Sequence, residues 1–315
     1  MHCSFDAARM KIASITPYAV NVSPRTNWLF LRVESDSGLS GLGEATLSGG
    51  WEDVQRACVA RLAAQVVGKT IDEALPSLAV YPHAAGGLAW NSVASAVEMA
   101  LTDLRAREKG VPIHALFGAT LREKIPVYGN INRMTTDRTP GGFARSARTR
   151  VAEGYRRIKL APFDGVYRED FAQNEVRRKF ANGIDCILAC REAIGPDVML
   201  MIDCHWRFDE KIALELLRAL EPAKLWWAEC LVSERAEHHA ALQRVRRFAE
   251  ERGMLLVGGE RQVGVLGFEP IIRRRLLDVV MPDIKYAGGY AAMLEIAQHP
   301  YRPASNESLS DPRLG

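Results

Sequence analysis

The sequence lacks the features that mark membrane-spanning, secreted and nucleic-acid-binding proteins. No apolar run approaches the roughly 20 residues that a membrane-spanning helix needs. Residues 1–9 have no apolar core typical of a signal peptide, and we interpret them as a disordered leader. The formal net charge is only +3, and no aromatic residues are interleaved with the arginine clusters. We therefore expect a cytoplasmic protein with neither a nucleic-acid nor a membrane partner.

Cysteines are few, and their spacing fits neither a zinc site nor a redox pair. The chain has six, of which Cys186 and Cys190 stand four apart on a predicted helix. Cys204 and Cys230 each follow an acidic residue by one position, so on a strand they would point to the opposite side. Reduced structural thiols, as in cytosolic proteins, are the expected state.

Four short apolar runs each end in a carboxylate. The terminal acids are Asp203, Glu229, Glu260 and Asp283. The segments between them have helical patterns, at Lys211–Leu220, Ala236–Arg252 and Phe268–Leu276. Such alternation predicts βα units and a parallel sheet, in which the carboxyl ends of the strands carry the chemistry. Converging carboxylates are typical of a site for a hard cation such as Mg²⁺, with ligand distances of about 2.0–2.1 Å.

The segment Val198–Phe208 (VMLMIDCHWRF) is the most informative of these runs. If the chain stays extended beyond Asp203, the side chains of Asp203, His205 and Arg207 share one face. Such a group of polar side chains is costly to hold unless it binds something. The alternative is a hairpin-like turn with solvated charges.

The remaining patterns define the domain plan. Three strands are predicted before residue 47, and two helices follow them, giving an α+β domain over residues 10–122. The predicted strands are Lys11–Asn21, Trp28–Ser35 and Ser40–Thr46, and the predicted helices are Trp51–Val67 and Asn91–Lys109.

Parallel strands are then expected at Ile125–Asn130 and Tyr155–Ala161, opening a β/α domain over residues 123–298. No glycine-rich phosphate loop follows the first of these strands, which argues against a dinucleotide fold. Residues 299–315 have no periodicity and are expected to form an irregular tail.

Four motifs carry a resemblance to a known family. They are GLGEAT at 41–46, the segment 101–118, GER at 259–261 and PDIKYAGG at 282–289. With these motifs the chain resembles the enolase superfamily in its mandelate racemase-like branch, over nearly all of residues 10–298. The resemblance implies an α/β fold, a modified TIM barrel with an N-terminal α+β capping domain. It also implies Mg²⁺ bound by Asp203, Glu229 and Glu260, and abstraction of the proton next to a carboxylate to give an enediolate.

The resemblance assigns further roles to particular residues. His205 matches the proton donor of the family's acid-sugar dehydratases; alternatively, it only hydrogen-bonds Asp203. Lys159 matches a lysine with an electrostatic role, and Asp283 matches the aspartate of a His–Asp dyad. Arg207, Lys285, Arg25 and Trp51 are candidate contacts for the substrate, which is expected to be a small acid sugar or 2-hydroxy acid. A homo-oligomer is expected, and a racemase or epimerase, or a metal-binding remnant with little activity, are the alternative functions.

Two departures from the family pattern concern the general base. The second lysine of the family's Lys-x-Lys motif is replaced by Ala161, which leaves Lys159 as a candidate base on one face and Lys285 as a weaker one on the other. The sequence after Ile125 is also shorter than the roughly 250 residues of a typical barrel. About six barrel strands are visible, with no seventh strand carrying a histidine to pair with Asp283. From this we expect weak Mg²⁺ binding and poor turnover, and more activity once a seventh and an eighth strand are restored.

Overall fold

The computed structural model describes residues 10–23, 26–80 and 87–299. The predicted leader (1–9), Arg25 and residues 300–315 of the predicted tail lie outside the described residues. The strands are β1 (Ile12–Ser23), β2 (Thr26–Ser35), β3 (Ser40–Glu44), β4 (Gly129–Asn130), β5 (Arg157–Leu160), β6 (Met199–Asp203), β7 (Trp227–Glu229), β8 (Leu255–Gly258) and β9 (Val279–Val280). The α-helices are α1 (Glu52–Val66), α2 (Ile71–Ala74), α3 (Gly87–Glu108), α4 (Pro140–Ala152), α5 (Asn174–Ile194), α6 (Glu210–Ala219), α7 (His239–Glu250), α8 (Gly264–Arg273), α9 (Ile284–Ala287) and α10 (Gly289–Gln298). Among the described residues, no helix is long and apolar enough to cross a membrane.

The chain forms two compact units. The first contains the described residues up to Ala119 together with Arg261–Arg273 and the described residues from Pro282 onward. The second contains Thr120–Glu260 and Arg274–Met281. The division into domains at residue 122 stays a prediction.

The first unit is built on an antiparallel sheet in the order β1-β2-β3. Leu29, Leu31 and Val33 alternate along β2 and are buried, because they face a core that includes helix α3. Strand β3 lies so close to this helix that a Cβ atom on Gly43 would overlap the carbonyl oxygen of Ala96. The close approach explains the glycine at this position. The predicted capping domain, with its antiparallel strands and helices, is confirmed.

The second unit contains a parallel sheet of six strands in the order β4-β5-β6-β7-β8-β9. Each strand pairs with its neighbour in sequence, and helices or turns connect them. In the register, Asp203 pairs with Glu229 and Glu229 pairs with Val257. The carboxyl ends of these strands therefore lie at one edge, which confirms the predicted fold with about six visible barrel strands.

Two features of the parallel sheet differ from the predictions. Of Ile125–Asn130, only Gly129 and Asn130 pair with β5, and the side chains of Ile125 and Val127 are exposed. The expectation that the chain stays extended after Asp203 is also wrong. His205 and Trp206 have φ angles of 49° and 56°, and residues in this left-handed region cannot continue a strand.

Candidate metal centre and active site

Two carboxylates meet at the ends of neighbouring strands. Asp203 ends β6 and Glu229 ends β7, and parallel pairing places their Cα atoms opposite each other. Asp203, Glu229 and Cys230 each offer one potential ligand atom, and these atoms all lie within 4.8 Å of one another. Glu229 is only 3% exposed. The chain therefore holds acidic groups together away from water, which is unfavourable unless positive charge is supplied.

The third predicted ligand, Glu260, lies two residues beyond the end of β8. Gly259 precedes it with a φ angle of 91°, so the strand ends in a turn that favours glycine. Glu260 is half-buried, and its negative charge contributes to raising the pKa of Glu229. All three predicted ligands thus lie at the carboxyl ends of successive strands.

Lys159 supplies positive charge to this cluster. It lies near the end of β5, and its Nζ atom is 2.8 Å from Oε2 of Glu229. The ammonium group also lies 4.8 Å from the ring centroid of Tyr128. Burial by itself lowers the pKa of Lys159, but the Glu229 carboxylate outweighs burial and the pKa is raised. Lys159 therefore carries a fixed positive charge beside the carboxylates.

Glu229 responds differently, because it also faces other acids. Burial is the largest effect and raises its pKa, the charge of Asp203 raises it further, and Lys159 opposes both. The pKa of Glu229 is raised to about 7. One ammonium group does not balance the carboxylates around it.

The donor set fits a hard divalent cation. Carboxylate oxygens are the ligands that Mg²⁺ prefers, and the cluster has an excess of negative charge for it to neutralise. Cys230 is a poor ligand despite its proximity, because burial raises the pKa of its thiol far above the ordinary value. A protonated thiol does not compete for a metal. The Cys230 thiol instead donates a hydrogen bond to Oε1 of Glu234, at 3.9 Å.

His205 lies beside the first predicted ligand even though the strand does not continue. Its Nε2 atom is 3.2 Å from Oδ2 of Asp203, and its backbone N–H donates to Oδ1 of the same carboxylate at 3.0 Å. The imidazole is 43% exposed, so it remains accessible to a small molecule. The turn thus places a proton-carrying group next to the carboxylate cluster.

Arg207 points to a different neighbour. Its guanidinium lies 4.9 Å from the ring centroid of Tyr167 and donates to the carbonyl oxygen of Val166 at 3.4 Å. The backbone of Arg207 also accepts a hydrogen bond from the N–H of Arg168. These contacts join the loop after β5 to the turn after β6. Arg207 as a substrate contact stays a prediction.

Three other predicted residues, Asp283, Lys285 and Trp51, belong to the first unit. Oδ1 of Asp283 accepts the backbone N–H of Lys285 at 2.9 Å, which caps helix α9. The Lys285 ammonium lies 3.5 Å from Oδ2 of Asp283. Trp51 precedes helix α1 and is 48% exposed, and Arg25 lies outside the described residues. Their roles with a substrate or in catalysis stay predictions.

Sequence reasoning did not identify Tyr128, whose ring faces the ammonium of Lys159. The available signal was its position two residues before the end of the first predicted parallel strand. Alternation on a strand puts such a residue on the same face as the last one. An aromatic ring on that face stabilises a buried cation.

Comparison with known proteins places these features in a family. Residues 9–118 match the model described as "Mandelate racemase / muconate lactonizing enzyme, N-terminal domain", and residues 142–299 match "Enolase C-terminal domain-like". D-galactonate dehydratase of Xanthomonas euvesicatoria pv. vesicatoria (strain 85-10) is 31% identical over 292 residues, covering 91% of this chain and 71% of that protein. D-gluconate dehydratase of Thermoproteus tenax is 32% identical over 203 residues, covering 64% of this chain and 39% of that protein.

Solved structures agree with the family models. An enolase-superfamily member from Salmonella Typhimurium has a TM-score of 0.79 and 25% identity, covering 91% of this chain and 77% of that one. A mandelate racemase/muconate lactonizing enzyme from Jannaschia sp. CCS1 has a TM-score of 0.78 and 23% identity, covering 91% of this chain and 76% of that one. The second likeness concerns the fold alone.

Proposed function

We propose that this chain, which belongs to the enolase superfamily in its mandelate racemase/muconate lactonizing enzyme branch, is a Mg²⁺-dependent acid-sugar dehydratase. Its dehydratase relatives support an enzyme of the hydro-lyase class. The proposed reaction removes the proton on the carbon next to the substrate carboxylate and then expels the hydroxyl on the following carbon. The observation that carries the proposal is the cluster of Asp203 and Glu229 at adjacent strand ends, with Lys159 beside it.

Asp203, Glu229 and Glu260 would hold the cation. When bound, Mg²⁺ would stabilise the negative charge that develops on the substrate carboxylate as the α-proton leaves. Lys159 contributes a second positive charge from the neighbouring strand. Because it is buried and its contact with Glu229 fixes it, this charge needs little reorganisation during the reaction.

His205 would act on the leaving group. As the α C–H bond breaks, the proton passes to a general base, for which Lys285 is the candidate, and the electron pair of the bond enters the enediolate. When the enediolate collapses, the carboxylate is re-formed, a double bond forms between the α and β carbons, and the bond from the β carbon to its hydroxyl breaks. The imidazolium form of His205 gives its proton to that hydroxyl, so the group leaves as water and the imidazole becomes neutral. The product is an enol that becomes a 2-keto-3-deoxy acid. Histidine is the side chain most often used for such proton transfers.

The structure favours an electrostatic role for Lys159 over a role as base. A base must be neutral before it takes a proton, and the pairing with Glu229 raises the pKa of Lys159 instead. Lys285 remains the second candidate for the acceptor of the α-proton. Replacing Lys285 with methionine should abolish exchange of the α-proton if Lys285 is the base, and should leave exchange unchanged otherwise.

The proposal is tested with a panel of aldonic and aldaric acids, including galactonate and gluconate. Formation of 2-keto-3-deoxy acids is measured with Mg²⁺ and with EDTA, and exchange of the α-proton is measured in D₂O. Mg²⁺-dependent formation of a keto acid supports a dehydratase, whereas exchange with inversion and no keto acid would favour an epimerase. Neither product nor exchange, on any acid, would refute the proposal. Turnover at about 1 s⁻¹ or faster would contradict the expectation of weak activity.

A further inference from the structure

The carboxylate of Glu234 lies between the two turns that carry Glu229 and Glu260. It is buried, with 7% exposure, and belongs to the loop after β7. Its Oε1 atom accepts the backbone N–H of Gly259 at 2.9 Å and the thiol of Cys230 at 3.9 Å. Gly259 immediately precedes Glu260, and Cys230 immediately follows Glu229. One carboxylate oxygen therefore contacts both turns.

The turn at Cys230 needs such support. Cys230 has a φ angle of 50°, a conformation that costs a residue with a side chain about 1–3 kcal/mol. Its backbone N–H donates to the carbonyl oxygen of Val257, and its own carbonyl oxygen accepts from the N–H of Trp206. Cys230 thus joins the turns after β6 and β7 to strand β8, and its thiol contacts Glu234.

The end of β8 is shaped to admit Glu234. A Cβ atom built on Gly258 would overlap Oε1 of Glu234, so only a glycine leaves room for the carboxylate at its observed position. The backbone of Glu234 is held as well, because Nε2 of His239 lies 3.1 Å from its carbonyl oxygen. Both the side chain and the backbone of Glu234 are therefore fixed.

We infer that Glu234 is a positioning residue, which holds the turns bearing Glu229 and Glu260 at the spacing that a divalent cation requires. This inference rests on the proposed function. Glu234 acts through Gly259 and Cys230 and is not itself assigned as a ligand. Groups that orient metal ligands typically contribute about 10–100-fold to metal affinity.

The test measures binding of Mn²⁺ to the full chain by titration calorimetry. We expect Glu234→Ala to weaken Mn²⁺ binding by about 10–100-fold. Glu234→Gln should retain most of the affinity, because its amide oxygen still accepts the N–H of Gly259. Gly258→Ala should weaken binding like Glu234→Ala, because the added methyl group would displace the Glu234 carboxylate from its observed position.

Asp278 provides the matched control. Its carboxylate accepts the N–H of Leu256 at 2.8 Å, so it contacts the same strand β8 at the opposite end. Asp278→Ala removes this hydrogen bond from β8 and also the ion pair of Asp278 with Arg246 at 2.6 Å, so it should lower stability while leaving the affinity for Mn²⁺ unchanged. A purely structural role for Glu234 would make the two alanine variants alike in their affinity for Mn²⁺.

The outcomes separate this inference from the proposed function. If the wild-type chain does not bind Mn²⁺, the metal-dependent function is refuted and the positioning role with it. If the wild type binds and Glu234→Ala binds as tightly, only the positioning role is refuted. If Glu234→Ala does not fold, the test is made with Gly258→Ala. An affinity of that variant for Mn²⁺ equal to that of the wild type would refute the inference.

Discussion

Replacing Lys159 with methionine removes the ammonium group that faces Glu229 and keeps a side chain of similar length. The two charged atoms are 2.8 Å apart, and the side chains are only 6% and 4% exposed. The variant leaves Glu229 buried beside Asp203 without the cation that lowers its pKa, so the group must either keep an unpaired charge or take up a proton, and each is unfavourable at pH 8. Water cannot reach the carboxylate well enough to replace the lost interaction.

The expected loss of unfolding free energy is about 3–5 kcal/mol, the usual cost of breaking a buried ion pair from one side. Lys179→Met is the matched control, because Lys179 pairs with Glu175 at 2.7 Å on an exposed surface of helix α5. Exposed pairs contribute about 0–1 kcal/mol, so this control should remain close to the wild type. The double variant Lys159→Met with Glu229→Gln should be more stable than Lys159→Met alone, because no unpaired charge remains.

The assay is urea unfolding of the EDTA-treated proteins at pH 8, followed by circular dichroism and extrapolated linearly to water. Addition of Mg²⁺ should stabilise Lys159→Met more than it stabilises the wild type, because a bound cation would replace the missing charge. A loss for Lys159→Met no larger than that of Lys179→Met would refute the argument. It would mean that the carboxylate cluster is solvated in solution.

Three further predictions follow from the same structure. The pKa of Glu229 rises from an ordinary 4.5 to about 7 on folding, so its contribution to stability is complete below pH 4.5 and is lost as the pH rises through about 7. Urea unfolding of the EDTA-treated wild type and of Glu229→Gln should therefore show the wild type losing stability relative to the variant between these two pH values. A constant difference in unfolding free energy would contradict this prediction. His205→Asn should abolish dehydration of an acid sugar while exchange of the α-proton in D₂O persists, and loss of both with Mn²⁺ still bound would assign His205 another role. Gly43→Ala should lower the unfolding temperature by several degrees, because the new methyl group would overlap the carbonyl oxygen of Ala96. Overpacking of this kind costs roughly 1–3 kcal/mol of unfolding free energy. An unchanged unfolding temperature in calorimetry would show that helix α3 can move away.

The predictable part of the site follows from strand periodicity. Asp203, Glu229 and Glu260 each follow an apolar run, and parallel strands bring their carboxyl ends to one edge. No coordinates are needed for that step, because burial on both faces makes such runs continuous. The order of the strands in the sheet also follows from right-handed βα units placed one after another.

The direction of the chain beyond Asp203 was not predictable from the same pattern. His205 and Trp206 adopt positive φ angles, although neither is a glycine or an asparagine. The turn is stabilised by contacts with other segments, such as the hydrogen bond from the N–H of Trp206 to the carbonyl oxygen of Cys230. A local pattern does not contain such contacts, so an extended chain was the simpler expectation.

The ion pair between Lys159 and Glu229 was unpredictable for a different reason. In the strand register, Lys159 of β5 pairs with Met201 of β6, and Met201 pairs with Trp227 of β7. Glu229 therefore lies two residues closer to the carboxyl end of β7 than the position opposite Lys159. The lysine side chain spans this stagger and the intervening strand β6. The stagger depends on how three strands pair, and the sequence of any one strand does not determine it.

The charges at the strand ends argue for function over stability. An apolar pair in place of Lys159 and Glu229 would often stabilise a protein at least as well as a buried ion pair. The chain instead keeps both charges and adds Asp203 and Glu260, whose negative charges raise the pKa of Glu229. Such a cost is expected where a site must attract a cation and stabilise developing negative charge on a substrate. The position of Lys159 fits both requirements, because its ammonium offsets the acids when no cation is bound and adds to the positive field when one is.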